Sequence, residues 1–97
     1  MSRHAYLVSY DIADDRRRTH IHELCRGYGE RLQYSVFRCD MSRTERVELE
    51  SALSEAIHHE EDQILVIDLG PVEGRAQWCV RAMGKPYTPP DGGPVIL

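Results

Sequence analysis

An α+β sandwich, with two helices laid on one face of a single sheet, is the fold this sequence predicts. Three observations predict it. Apolar runs of strand length recur at about His4–Ile12, Arg31–Asp40 and Gln63–Leu69. Two stretches of helical period separate them, and the 97 residues suffice for one two-layer core and little more. Strand–helix–strand(s)–helix–strand in so short a chain points to a ferredoxin-like βαββαβ arrangement over residues 1–83, followed by a C-terminal arm over residues 84–97.

The first strand, from about His4 to Ile12, is rich in β-branched and aromatic residues, as a buried strand requires. Asp14 or Asp15 then caps a helix, because a carboxylate there accepts from free backbone N–H groups and favours the positive end of the dipole. Ile21, Leu24, Cys25 and Tyr28 form its apolar stripe, and Gly27 and Gly29 offer the left-handed geometry that ends helices. Arg31 to Asp40 alternates like a strand, with Leu32, Tyr34 and Val36 on one face and Gln33, Ser35, Phe37 and Cys39 on the other. It is either one long strand or two short ones joined by a pinch. Ser42 and Glu45 stand in capping-box spacing, with Thr44 as a rival cap. The second helix runs to about His59, burying Val47, Leu49, Ala52, Leu53, Ala56 and Ile57. Gln63 to Leu69 is a strong strand stopped by Gly70-Pro71, Ala76 to Met83 reads as a further strand that holds Trp78, and Pro/Gly punctuation from Gly84 to Pro94 leads to apolar Val95-Ile96-Leu97.

Two helices cover one sheet face, yet Phe37, Cys39 and the near-continuous apolar run at Ile64 suggest that both faces are buried. A second subunit is the simplest cover, and the apolar end of the arm suits pairing with a sheet edge, its own or a partner's. A homodimer is therefore expected.

Composition is that of an ordinary globular domain, 41% hydrophobic and 29% charged. No apolar run approaches the roughly 20 residues of a membrane span, and no basic-then-apolar leader opens the chain, so a cytoplasmic location is the expectation. Cys25, Cys39 and Cys79 are odd in number and lack C-x-x-C spacing, which suits reduced thiols rather than a disulfide or zinc site. The net charge of -4 argues against a general nucleic-acid coating protein. The charge is unevenly placed, however: Arg46 is the only Lys or Arg between Thr44 and Glu73, and Lys85 is the only lysine in the chain. Arginine forks match phosphate oxygens bidentately.

The residues that carry chemistry lie where the first strand ends. Asp11 sits where the chain leaves the sheet, so it can stay charged and reach a ligand; strand termination is the plain alternative. Arg16, Arg17 and Arg18 follow as the densest basic run in the protein. Three cations at the positive end of a helix are electrostatically unfavourable, which favours a phosphate ligand over a merely solvated first turn paired with Asp14 and Asp15. An acid that can hold a hard cation beside arginines that can hold phosphate suggests phosphodiester chemistry or nucleic-acid binding. No HExxH, P-loop or GxGxxG pattern occurs. His20 and His22, two apart on a helix, face different ways and do not share a metal. His58-His59 suits the negative end of the second helix.

Tyr10-Asp11 closing the first strand, the arginines opening the first helix, and Gln33-Tyr34-Ser35-Val36-Phe37 after Arg31 together resemble the CRISPR-associated protein two family. The order of elements agrees across nearly the whole chain. The resemblance implies a homodimer whose C-terminal strands cross to the partner's sheet, which bridges CRISPR integrase (protein one) subunits and carries protospacer DNA during spacer acquisition. It also implies a metal-dependent endonuclease acting on single-stranded RNA or double-stranded DNA, with Asp11 in the position of the metal ligand. Tyr10, Arg18, Arg31, Ser35 and Phe37 fall on positions that the family keeps, and Arg17 can replace Arg18 in the match.

Magnesium, or manganese in its place, keeps several waters and is held by one or two carboxylates plus substrate phosphates. One Asp11 per subunit is too little for a tight cage, whereas two copies across a dimer with a phosphate between them make a weak, shared site. Arg31 either salt-bridges or touches nucleic acid. Ser35 reads as a sheet or interface hydroxyl and Phe37 as core or dimer packing rather than a base stacker. Three functions compete: a DNA-bridging scaffold, a toxin-like endoribonuclease using Asp11, and a non-catalytic ferredoxin-like regulatory domain that makes no use of the arginines.

Overall fold

The structure is a computed structural model that describes residues 3–77 and 79–86. Strand β1 (His4–Asp11) leads into helix α1 (Asp15–Arg26), the hairpin β2 (Glu30–Gln33) and β3 (Val36–Met41), helix α2 (Arg43–Ala56) and strand β4 (Gln63–Pro71). Asp14 caps α1, its carboxylate accepting from the Arg17 backbone N–H, which also lowers the Asp14 pKa. At α2 both halves of the capping box form: Ser42 Oγ accepts from Glu45 N, and Glu45 Oε1 accepts from Ser42 N.

The four strands make one antiparallel sheet in the order β2-β3-β1-β4, the arrangement of a ferredoxin-like fold. Register decides which face each residue joins. Tyr6 lies opposite Cys39, Val8 between Phe37 and Val66, and Tyr10 opposite Ile64. These side chains form the core with Ile21 and Cys25 of α1 and Leu49 and Leu53 of α2. Phe37 and Cys39 therefore lie beneath the helices, not on the far side of the sheet. The far face carries Leu7, Ser9, Val36, Leu65 and Ile67, and Leu65 and Ile67 keep 49% and 45% of their surface exposed. An apolar face is left open, as expected, and the run at Ile64 supplies two of its residues, Leu65 and Ile67, whereas Phe37 and Cys39 belong to the core.

Of the two forms expected for the Arg31–Asp40 run, the structure has the two short strands, because Gln33 pairs with Val36 and leaves Tyr34-Ser35 as a two-residue turn, with a register shift between Arg31 and Gln33. Other local details differ from the sequence reading. Gly27 caps α1 in right-handed geometry (φ -68°), and Gly29 is not left-handed either; among the described residues only Gly70 and Gly84 have positive φ. Gly29 is instead required by close approach, since a Cβ there would strike the Arg38 carbonyl oxygen and lie 2.6 Å from Cys39 Sγ. Helix α2 stops at Ala56, and Val47 is exposed because it falls opposite the Leu49–Leu53 stripe.

Among the described residues, no strand forms over the stretch expected from Ala76 to Met83. Gly74 N donates to Pro71 O in a turn, a 3-10 turn follows over Arg75–Gln77, and among the described residues no ladder pairs residues 79–86. A strand needs a hydrogen-bonded neighbour, and local alternation does not supply one. Trp78 and most of the C-terminal arm lie outside the described residues.

Candidate nucleic-acid and metal site

The β1–α1 junction is built by carboxylates that hold backbone as well as arginine. Asp62, just before β4, is wholly covered from solvent and accepts from four donors. Ala13 N binds at 2.9 Å, His58 N at 2.8 Å, Arg17 Nε at 2.8 Å and an Arg17 terminal nitrogen at 3.2 Å. A second contact joins Arg17 to Glu61 at 3.1 Å. One carboxylate thus ties the start of α1 to the loop after α2.

The Arg17 guanidinium above all, aided by the His58 and Ala13 backbone N–H groups, holds the Asp62 pKa well below the usual carboxylate range. A carboxyl whose folded pKa is lowered stabilises the fold above its unfolded pKa, about 4, and that contribution fades as pH falls through the lower folded value. Asp62→Asn turns an amide N–H or a weaker acceptor towards Arg17. Its thermal midpoint is expected to lie below wild type at pH 7, with the gap closing as the pH is taken well below 4. A gap that stays constant through acid pH would contradict this role.

Arg18 takes a different position. One terminal nitrogen donates to the Ile12 carbonyl at 3.0 Å and the other to Asp15 Oδ1 at 2.6 Å. Asp15 chiefly, with the Tyr34 hydroxyl contributing less, raises the Arg18 pKa. Arg18 and Arg31 line a cleft of about 390 Å³ together with Tyr10, Asp15, Thr19, His22 and Tyr34. Arg31 is exposed and, among the described residues, has no ion-pair partner; the same holds for Arg16. The basic run is therefore divided: Arg17 points to Asp62, Arg18 into the cleft, and Arg16 into solvent.

Tyr10 supports the cleft from below. It is buried, which raises its pKa, and its hydroxyl lies 3.4 Å from both His22 Nδ1 and the Tyr34 carbonyl. Its backbone N–H donates to the Ser35 carbonyl at 3.0 Å, fixing the β2–β3 turn against β1. Phe37 is fully enclosed between Tyr10, with ring centroids 6.3 Å apart, and the edge of His22 at 5.2 Å. It is a core residue and offers no face to a base. Ser35 is half-buried in the turn and presents its carbonyl, not its hydroxyl, to Tyr10.

Asp11 follows Tyr10 and, by strand alternation, belongs to the open face of the sheet, level with Gln63 of β4. Its side chain is exposed and makes no hydrogen bond or ion pair with the described residues. The described residues contain no cluster of three His, Cys, Asp or Glu side chains able to hold a metal. The donor chemistry at Asp11 fits a hard cation that keeps water and takes further oxygens from a substrate or a second copy. The thiols do not compete. Cys25 and Cys39 are free and buried, and burial pushes both pKa values up to about 12.

Residues 4–73, from the start of β1 to just past β4, match the family model for CRISPR associated protein Cas2. This chain belongs to the Cas2 family. The relative named CRISPR-associated endoribonuclease Cas2 in Geobacter sulfurreducens is 40% identical over 86 residues, 89% of this chain and 90% of that protein. A Synechocystis relative, CRISPR-associated endoribonuclease Cas2 3, is 38% identical over 92 residues, 94% and 97% of the two chains. Among solved structures, Streptococcus pyogenes Cas2 aligns with a TM-score of 0.72 at 32% identity, covering 82% of this chain and 99% of that one. A hypothetical protein from Thermus thermophilus gives a TM-score of 0.73 at 31% identity, covering 86% and 93%.

In this Cas2-family chain, Tyr10, Arg18 and Arg31 gather at one cleft, with Asp11 beside Tyr10 in sequence and Phe37 beneath. Sequence reasoning passed over Asp62, Thr19 and Tyr34 as site residues and set His22 aside. Asp62 becomes visible only when Asp11 is paired with Gln63, since that register brings the residue before β4 to the turn after β1. Among the described residues, no helix is long and apolar enough to cross a membrane.

Proposed function

We propose that this chain is a metal-dependent endonuclease that works as a homodimer in CRISPR spacer acquisition. One observation carries the reading: the unpaired, exposed Asp11 stands on the same open sheet face as the apolar Leu7, Val36, Leu65 and Ile67. A second copy that covers this face buries the apolar side chains and draws the two Asp11 carboxylates into one interface. Membership of the family, with relatives named endoribonucleases, supports phosphodiester hydrolysis as the chemistry.

Asp11 from each subunit would hold a Mg²⁺ or Mn²⁺ ion, with the remaining positions left to water and to substrate phosphate. When bound, the ion lowers the pKa of its water and offsets charge on the phosphate. The chain's own groups do the positioning. Arg18 and Arg31 draw the phosphate backbone towards the end of β1, and Arg16 adds a solvent-facing cation. Arg17 holds the junction through Asp62. The same dimer would bridge CRISPR integrase subunits and carry protospacer DNA across its surface.

Incubating the purified chain with end-labelled single-stranded RNA and double-stranded DNA tests the chemistry. Cutting is expected with Mg²⁺ or Mn²⁺ and none with EDTA, and the substrate cut identifies the preference. Cutting that survives EDTA would refute the metal dependence, and no cutting under any condition would refute the nuclease and leave a DNA-bridging scaffold.

A further inference from the structure

Tyr34 takes no part in the chemistry at Asp11. It occupies the tip of the β2–β3 turn with 72% of its surface exposed, the only aromatic among the largely exposed apolar side chains of the described residues. An exposed tyrosine in a mobile loop would need no explanation. This one is held: its carbonyl lies 3.4 Å from the Tyr10 hydroxyl, and Tyr10 N donates to the carbonyl of the next residue at 3.0 Å. The ring stands in the wall of the 390 Å³ cleft, with Arg18 and Arg31 as its cationic neighbours and Thr19 and His22 as its other polar lining. Arg31 makes no ion pair with the described residues, so a positive charge beside an exposed ring is left for an outside partner.

We infer that the cleft formed by Tyr34, Arg18 and Arg31 is a subsite for one unpaired nucleotide, whose base stacks on Tyr34 while its phosphate meets the arginines. The inference rests on the nucleic-acid function proposed above and names the form of substrate that the site selects. A cation beside a π-face is the combination that binds single-stranded nucleic acid, because every unpaired base offers a stacking face. A base inside a duplex has both faces occupied by its neighbours and cannot use the tyrosine. Tyr10 lines the cleft and Asp11 follows it on the opposite face of β1, so a strand seated here reaches Asp11 by passing round the end of β1. The cleft thereby favours single strands for a reason independent of the metal.

Fluorescence anisotropy in EDTA separates binding from cleavage. The probes are labelled single-stranded RNA, single-stranded DNA of the same sequence, and a blunt DNA duplex; the proteins are wild type, Tyr34→Ala and Tyr34→Phe. Tyr34→Ala is expected to weaken single-strand binding by about tenfold and leave duplex binding unchanged, while Tyr34→Phe keeps the stacking face and the affinity. A loss confined to one of the two single strands supports the subsite and identifies its sugar. Single-strand affinity unmoved by Tyr34→Ala, or an equal loss on the duplex, would overturn the subsite. Failure of wild type to bind any probe would instead overturn the nucleic-acid function itself. Tyr34 is exposed, so unchanged thermal midpoints are expected for both variants.

Discussion

Asp11→Asn is expected to remove metal-dependent cleavage, reducing the rate by roughly a hundredfold or more, while leaving fold and dimer intact. The side chain is exposed and makes no hydrogen bond or ion pair with the described residues, so its loss leaves no buried group unsatisfied. An amide keeps the shape of the carboxylate but gives up the negative charge that holds a hard cation. Metal-assisted charge stabilisation amounts to several kcal/mol, and each ~1.4 kcal/mol is a factor of ten in rate. Binding of nucleic acid in EDTA should be retained or slightly strengthened, because one negative charge that repels phosphate has gone. Cleavage rates, thermal midpoints and anisotropy on the same preparations check all three. Unchanged cleavage would exclude Asp11 as the metal ligand.

Phe37→Ala is expected to have the largest effect on stability, about 3–5 kcal/mol in chemical denaturation. The ring is almost wholly enclosed and joins three elements: Tyr10 of β1 stacks on one side, His22 of α1 meets it edge-on, and β3 carries it. Removing it leaves a cavity beneath the cleft and releases the two side chains that line the cleft from below. For a domain of this size such a loss is a large share of the total stability. Nucleic-acid binding should fall in parallel even though Phe37 reaches no ligand. A variant that keeps full stability would contradict the enclosed position of the ring.

The sequence disclosed most of the architecture because strand and helix periods, the Asp14 cap and the Ser42–Glu45 capping box are local signals. Gly29 was misread because close approach to β3 depends on a neighbour 9 residues on in the chain, Arg38, and not on the local turn. Which face of the sheet Phe37 joins is not legible in the sequence for a related reason. Alternation tells which residues share a side of a strand, but only register against β1 tells which side meets the helices. At the site, Asp11 and the arginines were legible from their position and type. The division of labour among Arg16, Arg17 and Arg18 was not, because it depends on Asp62, whose partner is 45 residues away. Tyr34 was hidden by the alternating pattern, which made it look like a strand residue when it sits at the turn.

The central claim is that two Asp11 carboxylates, one from each subunit, serve a single site. It is tested most directly by co-refolding wild type with Asp11→Asn in varied proportion at fixed total protein and measuring the cleavage rate with Mg²⁺. If both carboxylates are needed, activity should follow the square of the wild-type fraction, about one quarter of full activity in an equal mixture. A rate that falls in direct proportion, to about one half, would show that each subunit works with its own aspartate and would contradict the shared site.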